Sequence, residues 1–202
     1  MVDLDNNSSL ISLLRHGETT AGKCFLGATD AELSELGWQQ MHSVDLPNDY
    51  DLVISSPLLR CQVFAQQYAD KINKPVLIES DFREMGFGEW EAKTSEELWQ
   101  TDQQALADFW NDSVKFTPPG GESLLAFQRR VMKRYCSLLN EFKGKRVLIV
   151  CHAGVIKIIL CDVLGIELNN MHKLAIDHAG LSQISLWLDA ELTQQIRYIN
   201  RC

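Results

Sequence analysis

Short apolar runs alternate along the chain with longer stretches of helical period. "ISLL" (11–14), "DLVIS" (51–55), "PVLIE" (75–79) and "RVLIVC" (146–151) are brief and almost unbroken in apolar character. A strand covered on both faces needs no polar alternation, so these four read as strands of a largely parallel sheet. "LSQISLWL" (181–188) and "QQIRYIN" (194–200), on either side of "DAELT", read as a late antiparallel hairpin. Ser34 precedes the helical stretch "ELGWQQMHSV". Ser56-Pro57 precedes "LLRCQVFAQQYA", which predicts Ser56 as N-cap and Pro57 as the first helical residue. Thr94 and Glu97 form a capping box before "LWQTDQQALADFW". "PPGG" (118–121) separates that stretch from "ESLLAFQRRVMKRYCSLLNEF", and "AGVIKIILCDVL" (153–164) follows the strand "RVLIVC" directly.

Strands interleaved with helices predict a three-layer α/β/α sandwich, its sheet mostly parallel with an antiparallel hairpin at the end. The length of 202 residues fits one domain spanning 1–202, and residues 89–118 read as a helical insertion over one end of the sheet. The 46% apolar content is enough for a core. No run approaches about 18 apolar residues, so no membrane partner is expected. The start, "MVDLDNNSSL", lacks a basic region followed by an apolar stretch and does not read as a secretory signal. Six cysteines (24, 61, 136, 151, 161 and 202) form no CxxC pair and no metal-ligand spacing. Free thiols in a cytoplasmic protein are the expectation. The formal charge of −8 argues against a nucleic-acid partner. It is concentrated between Glu79 and Asp112, with ten acidic and two basic residues, which reads as a solvated helical face. Any anion site must therefore have its cations gathered by the fold.

Two stretches share one form. "SLLRHG" and "VLIVCHAG" are apolar strands ending in a histidine and a small residue. His16 and His152 would both lie at the carboxyl end of a parallel strand, where open α/β sheets bind ligands. One such histidine would read as structural; two at one sheet edge point to function. Arg60 falls in the first turn of the helix after "DLVIS", where free N–H groups and a guanidinium suit phosphate. The loop "REMGFGEWE" (83–91) follows "PVLIE" and brings Glu84 nearest the strand end. Like charge favours the protonated form of a carboxyl group beside bound phosphate, which suits a general acid. A surface glutamate is the equal alternative. His42 reads as a helix-surface or packing residue. His178, in "DHAGLS" (177–182), has a lesser claim to the site's flank, and His172 precedes the same hairpin. Cys61 and Cys151, each next to a candidate, read as buried and inert. A metal-dependent hydrolase is disfavoured because no HxH or HExxH spacing occurs.

In order along the chain, "LLRHGET" (13–19), "LSELGWQQ" (33–40), "SSPLLRCQ" (55–62), "FREMGFGEWE" (82–91), "GGES" (120–123) and "VLIVCHAGVIK" (147–157) resemble the histidine phosphatase superfamily, also called phosphoglycerate mutase-like. The resemblance implies the phosphoglycerate mutase-like fold and a small-molecule phosphomonoester as partner. It implies His16 as nucleophile through a phosphohistidine, with Arg15, Arg60 and His152 holding the phosphoryl oxygens. Glu84 would protonate the leaving alcohol and then activate water. A backbone carbonyl near Gly17 would hold the other nitrogen of His16. No metal or cofactor is implied, and a homodimer is the family's suggestion. Two positions depart from the pattern. Many members carry asparagine six residues after the nucleophile, where this chain has Gly22; Thr19, Thr20, Lys23 or a backbone N–H would have to substitute. Phe64 stands where members often have threonine.

Within the family, the glutamate loop, "DFWND" and "TPPGGESLLAFQRRV" resemble the phosphatase branch, and within it the α-ribazole-5′-phosphate phosphatases of cobalamin biosynthesis. That resemblance implies Phe87, Trp90, Trp99, Phe109 and Trp110 as an aromatic wall for a benzimidazole, the alternative being that they pack the insertion onto the sheet. A broad-specificity sugar or nucleotide phosphatase, a phosphoglycerate mutase and a non-catalytic phosphate-binding module are the other expectations.

Overall fold

The computed structural model describes residues 8–188 and 192–202. Its sheet contains β1 (Ser8–Arg15), β2 (Leu52–Ser55), β3 (Val76–Ile78), β4 (Arg146–Cys151), β5 (Leu181–Leu188) and β6 (Leu192–Arg201), in the spatial order β3-β2-β4-β1-β5-β6. β1, β4, β2 and β3 pair in parallel, while β5 and β6 add antiparallel. The turn around "DAELT" falls largely outside the described residues.

The helices are α1 (Glu35–Ser43), α2 (Leu59–Ile72), α3 (Ser95–Thr101), α4 (Gln103–Asn111), α5 (Leu124–Glu141) and α6 (Ala153–Leu164). The central strands feed two cores, one on each face. Ile11, Leu13, Ile54, Val147 and Ile149 pack with α5 and α6, and Leu14, Val53, Leu148 and Val150 pack with α1 and α2. Strands covered on both faces are why their sequence shows no alternation. This is the three-layer architecture the periodicity predicts. β1 is longer than "ISLL" because Ser8 and Ser9 are buried and pair across to Trp187 and Leu186 of β5. β3 is shorter than "PVLIE" and half exposed, as an edge strand is.

Ser34 caps α1 by accepting from Gly37 N, and Thr94 and Glu97 form the reciprocal capping box of α3. Two expectations need correction. α2 begins at Leu59, with no side-chain cap from its N-cap residue Leu58. Ser56 lies upstream of the helix; its Oγ accepts from Leu58 N at 3.3 Å and pairs with His152 Nε2 at 2.7 Å. The helix start is capped from a distance instead, because Leu59 N donates to Asp30 Oδ1 at 2.7 Å. The second correction is to "LWQTDQQALADFW", which is two helices and not one. The chain breaks at Asp102 (φ −150°), whose Oδ2 accepts from Trp90 Nε1 at 3.2 Å. No described helix is long and apolar enough to cross a membrane, and all six cysteines are free.

Candidate active site

Register places the two histidines. Arg15 is the last β1 residue paired with β4, opposite Cys151, so the next residues, His16 and His152, emerge side by side. Their rings stand edge-on with centroids 5.1 Å apart. Gly17 lets the chain turn closely past α1, since a Cβ there would overlap the Gly37 carbonyl. That contact ties "RHG" to "SELG".

His16 Nδ1 lies 2.7 Å from the Gly17 carbonyl oxygen. A carbonyl only accepts, so Nδ1 carries the proton and Nε2 keeps its lone pair. Burial, then Arg60 and Arg15, hold the ring well below the ordinary histidine range. A neutral ring with a free Nε2 is the form a nucleophile needs. His152 is also buried and held low, by burial first and then by His16 and Arg60. Arg60 Nε donates to its Nδ1 at 3.3 Å, so Nε2 carries the proton and donates to Ser56 Oγ at 2.7 Å. Both ring nitrogens are thus engaged inside the protein.

Arg60 is fully buried. Besides His152, its guanidinium donates to the carbonyls of Thr29 (2.8 Å), Leu26 (3.2 Å) and Gly27 (2.8 Å). Arg15 donates through Nη1 to the Ile176 carbonyl at 2.7 Å, and its Nε is buried with no partner among the described residues. An orphan buried donor is uncommon and fits a place prepared for an anion. Burial lowers the Arg15 guanidinium from its ordinary value, against the pull of Glu84 and Asp177.

Glu84 lies across the cavity. Its Oε2 accepts from Gly154 N at 3.0 Å and its Oε1 from Met85 N at 3.0 Å. Gly154, in the first turn of α6, is required there: a Cβ would overlap Oε1. Arg130 fixes the approach. It forms a double hydrogen bond with Glu122 and donates to the carbonyls of Asp81, Arg83 and Glu84 at 2.7, 2.8 and 2.9 Å. No local motif in "AFQRRVMKRY" marks Arg130 for this role.

The cavity between these groups measures about 170 Å³, and Arg15, His16, Thr19, Gly22, Glu84 and His178 are in its wall. Arg60 and His152 stand behind that wall. Thr20 is turned away, its hydroxyl toward the Glu32 carbonyl. Lys23 is exposed and does not line the cavity. Trp90 needs correction as a substrate contact: it is 1% exposed, packed among Phe25, Phe109 and Phe116, with its N–H given to Asp102. Trp99 is exposed and lies away from the cavity. His178 is nearer than its sequence suggests, 5.8 Å from His16 between ring centroids. Burial and Arg15 pull it down to about 4. Its place depends on the antiparallel register of β5, through Arg15 N to Gly180 O and Ala179 N to His16 O, which no local motif encodes. Cys61 and Cys151 are buried, and burial pushes both thiols up.

A second compartment of about 200 Å³ shares Phe25, Glu84 and Phe87 with the first. Phe109 and Trp110 add aromatic wall, and Lys157 supplies an ammonium. Of the expected wall, Phe87, Phe109 and Trp110 are present, and Phe25 is an unforeseen member.

Residues 11–196 match the profile of the histidine phosphatase superfamily (branch 1). The chain is 31% identical over 180 residues to the adenosylcobalamin/alpha-ribazole phosphatase of Escherichia coli, covering 86% of this chain and 88% of that protein. It is 29% identical over 170 residues to the glucosyl-3-phosphoglycerate phosphatase of Mycolicibacterium vanbaalenii, covering 78% and 75%. The solved alpha-ribazole phosphatase of Shigella flexneri superposes with a TM-score of 0.80 at 28% identity, over 95% of this chain and 96% of that one. A profile match across nearly the whole chain, on a fold that sets two histidines at one sheet edge, places this protein in the histidine phosphatase superfamily, as a phosphatase.

Proposed function

We propose that this enzyme hydrolyses phosphomonoesters through a phosphohistidine at His16, and that its substrate is α-ribazole 5′-phosphate. The lone pair of His16 Nε2 attacks phosphorus, and the bond to the leaving oxygen breaks. Glu84, in its acid form, gives that oxygen its proton. Glu84 then takes a proton from water, the water oxygen attacks the phosphohistidine, and phosphate leaves with Nε2 restored. Arg15 neutralises the phosphoryl oxygens from the cavity wall. Arg60 and His152 act from behind it, where their dipoles and charge are fixed before reaction. Thr19 is the side chain best placed to serve where asparagine is missing.

The observation that carries the substrate reading is the aromatic compartment sharing Glu84 and Phe87 with the His16 cavity. A leaving group protonated by Glu84 would extend into it, and a flat aromatic base suits walls of Phe25, Phe87, Phe109 and Trp110. The adenosylcobalamin/alpha-ribazole phosphatase similarity supports the same reading. Cytoplasmic location and a homodimer are parts of this proposal, as is turnover in excess chelator.

A panel of phosphomonoesters tests it. α-Ribazole 5′-phosphate should exceed simple sugar phosphates in kcat/KM by about tenfold or more. Equal rates across the panel would indicate a broad-specificity phosphatase, and isomerisation of 3-phosphoglycerate a mutase. His16→Ala should lower turnover by about a thousandfold or more and remove the acid-labile phosphoenzyme. Near-normal turnover in that variant would sink the mechanism.

A further inference from the structure

Glu91 lies outside the cavity wall, yet its carboxylate accepts five hydrogen bonds. Its Oε2 accepts from Gly27 N (3.1 Å), Thr29 N (3.1 Å) and the Thr29 hydroxyl (2.7 Å). Its Oε1 accepts from Ala28 N (2.8 Å) and Phe87 N (2.9 Å). Five donors converge on one carboxylate.

The carbonyls of the same short segment face the other way. Those of Leu26, Gly27 and Thr29 hold the Arg60 guanidinium. Residues 26–29 are therefore a strap gripped by an anion through its N–H groups and by a cation through its C=O groups. The strap continues into the cavity wall through Cys24, Phe25 and Leu26. Its start is tied to the glutamate loop by Phe25 N to Lys93 O and Ala92 N to Phe25 O. A Cβ on Gly27 would overlap the Met85 carbonyl, so the strap lies flat against that loop. Glu91 joins both sides, because Phe87 belongs to the loop that carries Glu84.

Burial alone would raise the Glu91 carboxyl, but the N–H groups of Phe87, Ala28 and Thr29 and the Thr29 hydroxyl outweigh it and bring it below its ordinary value. The carboxylate is thus the form the strap requires. A glutamine would present one oxygen and two N–H groups to five donors, setting donor against donor.

We propose that Glu91 is a positioning residue for phosphate recognition, acting through strap 26–29 on Arg60 and on the cavity wall. This rests on the reading of Arg60 as a phosphate-site cation. The position of an Arg fork determines how its charge meets a phosphoryl group. Apart from the His152 ring, Arg60 is held by three neutral carbonyls, whose positions depend on what fixes the strap, and Glu91 grips that strap through four of its five donors.

The experiment measures binding of inorganic phosphate and orthovanadate by the full chain, as wild type, Glu91→Gln, Arg60→Lys and the double variant. Glu91→Gln should weaken both anions by about tenfold or more. The double variant should be no weaker than Arg60→Lys within about twofold, since residues acting through one another are not additive. Glu91→Asp, which keeps the carboxylate on a shorter stem, should recover part of the loss. Unchanged anion affinity in Glu91→Gln, or losses that multiply in the double variant, would overturn the proposal. If Glu91→Gln lacks the wild-type circular dichroism spectrum, Glu91→Asp and Thr29→Val carry the same cycle with the same two overturning results. A wild-type chain that binds neither anion would overturn the phosphatase-site reading as well, whereas wild-type binding with an unaffected variant overturns the role of Glu91 alone.

Discussion

At the scale of residues, the site depends on atoms that are absent as much as on those present. Gly154 leaves room for the Glu84 carboxylate and donates its N–H to it. In Gly154→Ala the added Cβ should displace Glu84, lowering kcat by about tenfold or more, because misplacement by an ångström is costly in chemistry. Vanadate affinity should hold, since Arg15 and His16 are untouched; equal loss of both would place Glu84 in anion binding instead. Gly22, where the resemblance implies asparagine, has φ +70° and lines the cavity, and a Cβ there meets open space. Asparagine tolerates that left-handed backbone better than most residues. Gly22→Asn should therefore fold and strengthen phosphate binding by several-fold, the size of one added hydrogen bond to an anion. A weaker inhibition constant for phosphate in that variant would show that the pocket has closed around glycine. The histidine pair, Arg15 and Arg60 were readable from their place after apolar runs. Arg130 and Phe25 were not, and His178 only faintly, because each reaches the site from a segment whose own sequence does not place it there.

At the scale of elements, the caps at Ser34 and Thr94 follow local sequence, while the starts of α2 and α4 do not. α2 loses its apparent Ser56 cap because that hydroxyl faces His152, and Asp30 supplies the missing acceptor from 29 residues upstream of Leu59. The break at Asp102 has a similar cause. Trp90 is buried under α4 and needs an acceptor, which Asp102 supplies at the helix junction. Trp90→Phe should keep the ring packing and lose this bond, destabilising the protein by about 1–3 kcal/mol in chemical denaturation. Substrate preference should not change. Phe87→Ala, by contrast, should raise KM for an aromatic phosphomonoester more than for a sugar phosphate. A shift in preference in Trp90→Phe would mean that the insertion's core, and not its inner face, sets specificity.

At the scale of the whole molecule, gathering cations and histidines at one sheet edge makes stability depend on pH. His16, His152 and His178 all have their proton affinity lowered by burial and by neighbouring positive groups. Their unfolded counterparts titrate near the ordinary 6.5. Below that pH the unfolded chain binds protons that the folded chain refuses, so stability rises with pH there. The stabilising contribution is complete above about 6.5 and is lost as pH falls toward about 4, where His178 itself titrates. Tm measured by calorimetry should fall from pH 7 to pH 5, less steeply in His178→Asn. A flat Tm across that interval would mean that the histidines are not held neutral.

The sequence by itself determined the layers, the parallel centre and late hairpin of the sheet, and the order in which His16, Arg60, Glu84 and His152 come along the chain. Those follow from local causes: apolar period, caps, and motifs a few residues long. Tertiary structure alone decided which groups share the cavity. The register of β1 against β4 set His16 beside His152, that of β5 brought in His178, and the strap at 26–29 locked Arg60 behind the wall. It also moved Trp90 from the expected wall into the core. Burial and pairing depend on which segments meet across long separations, and a local pattern of residues carries no distance to its partners.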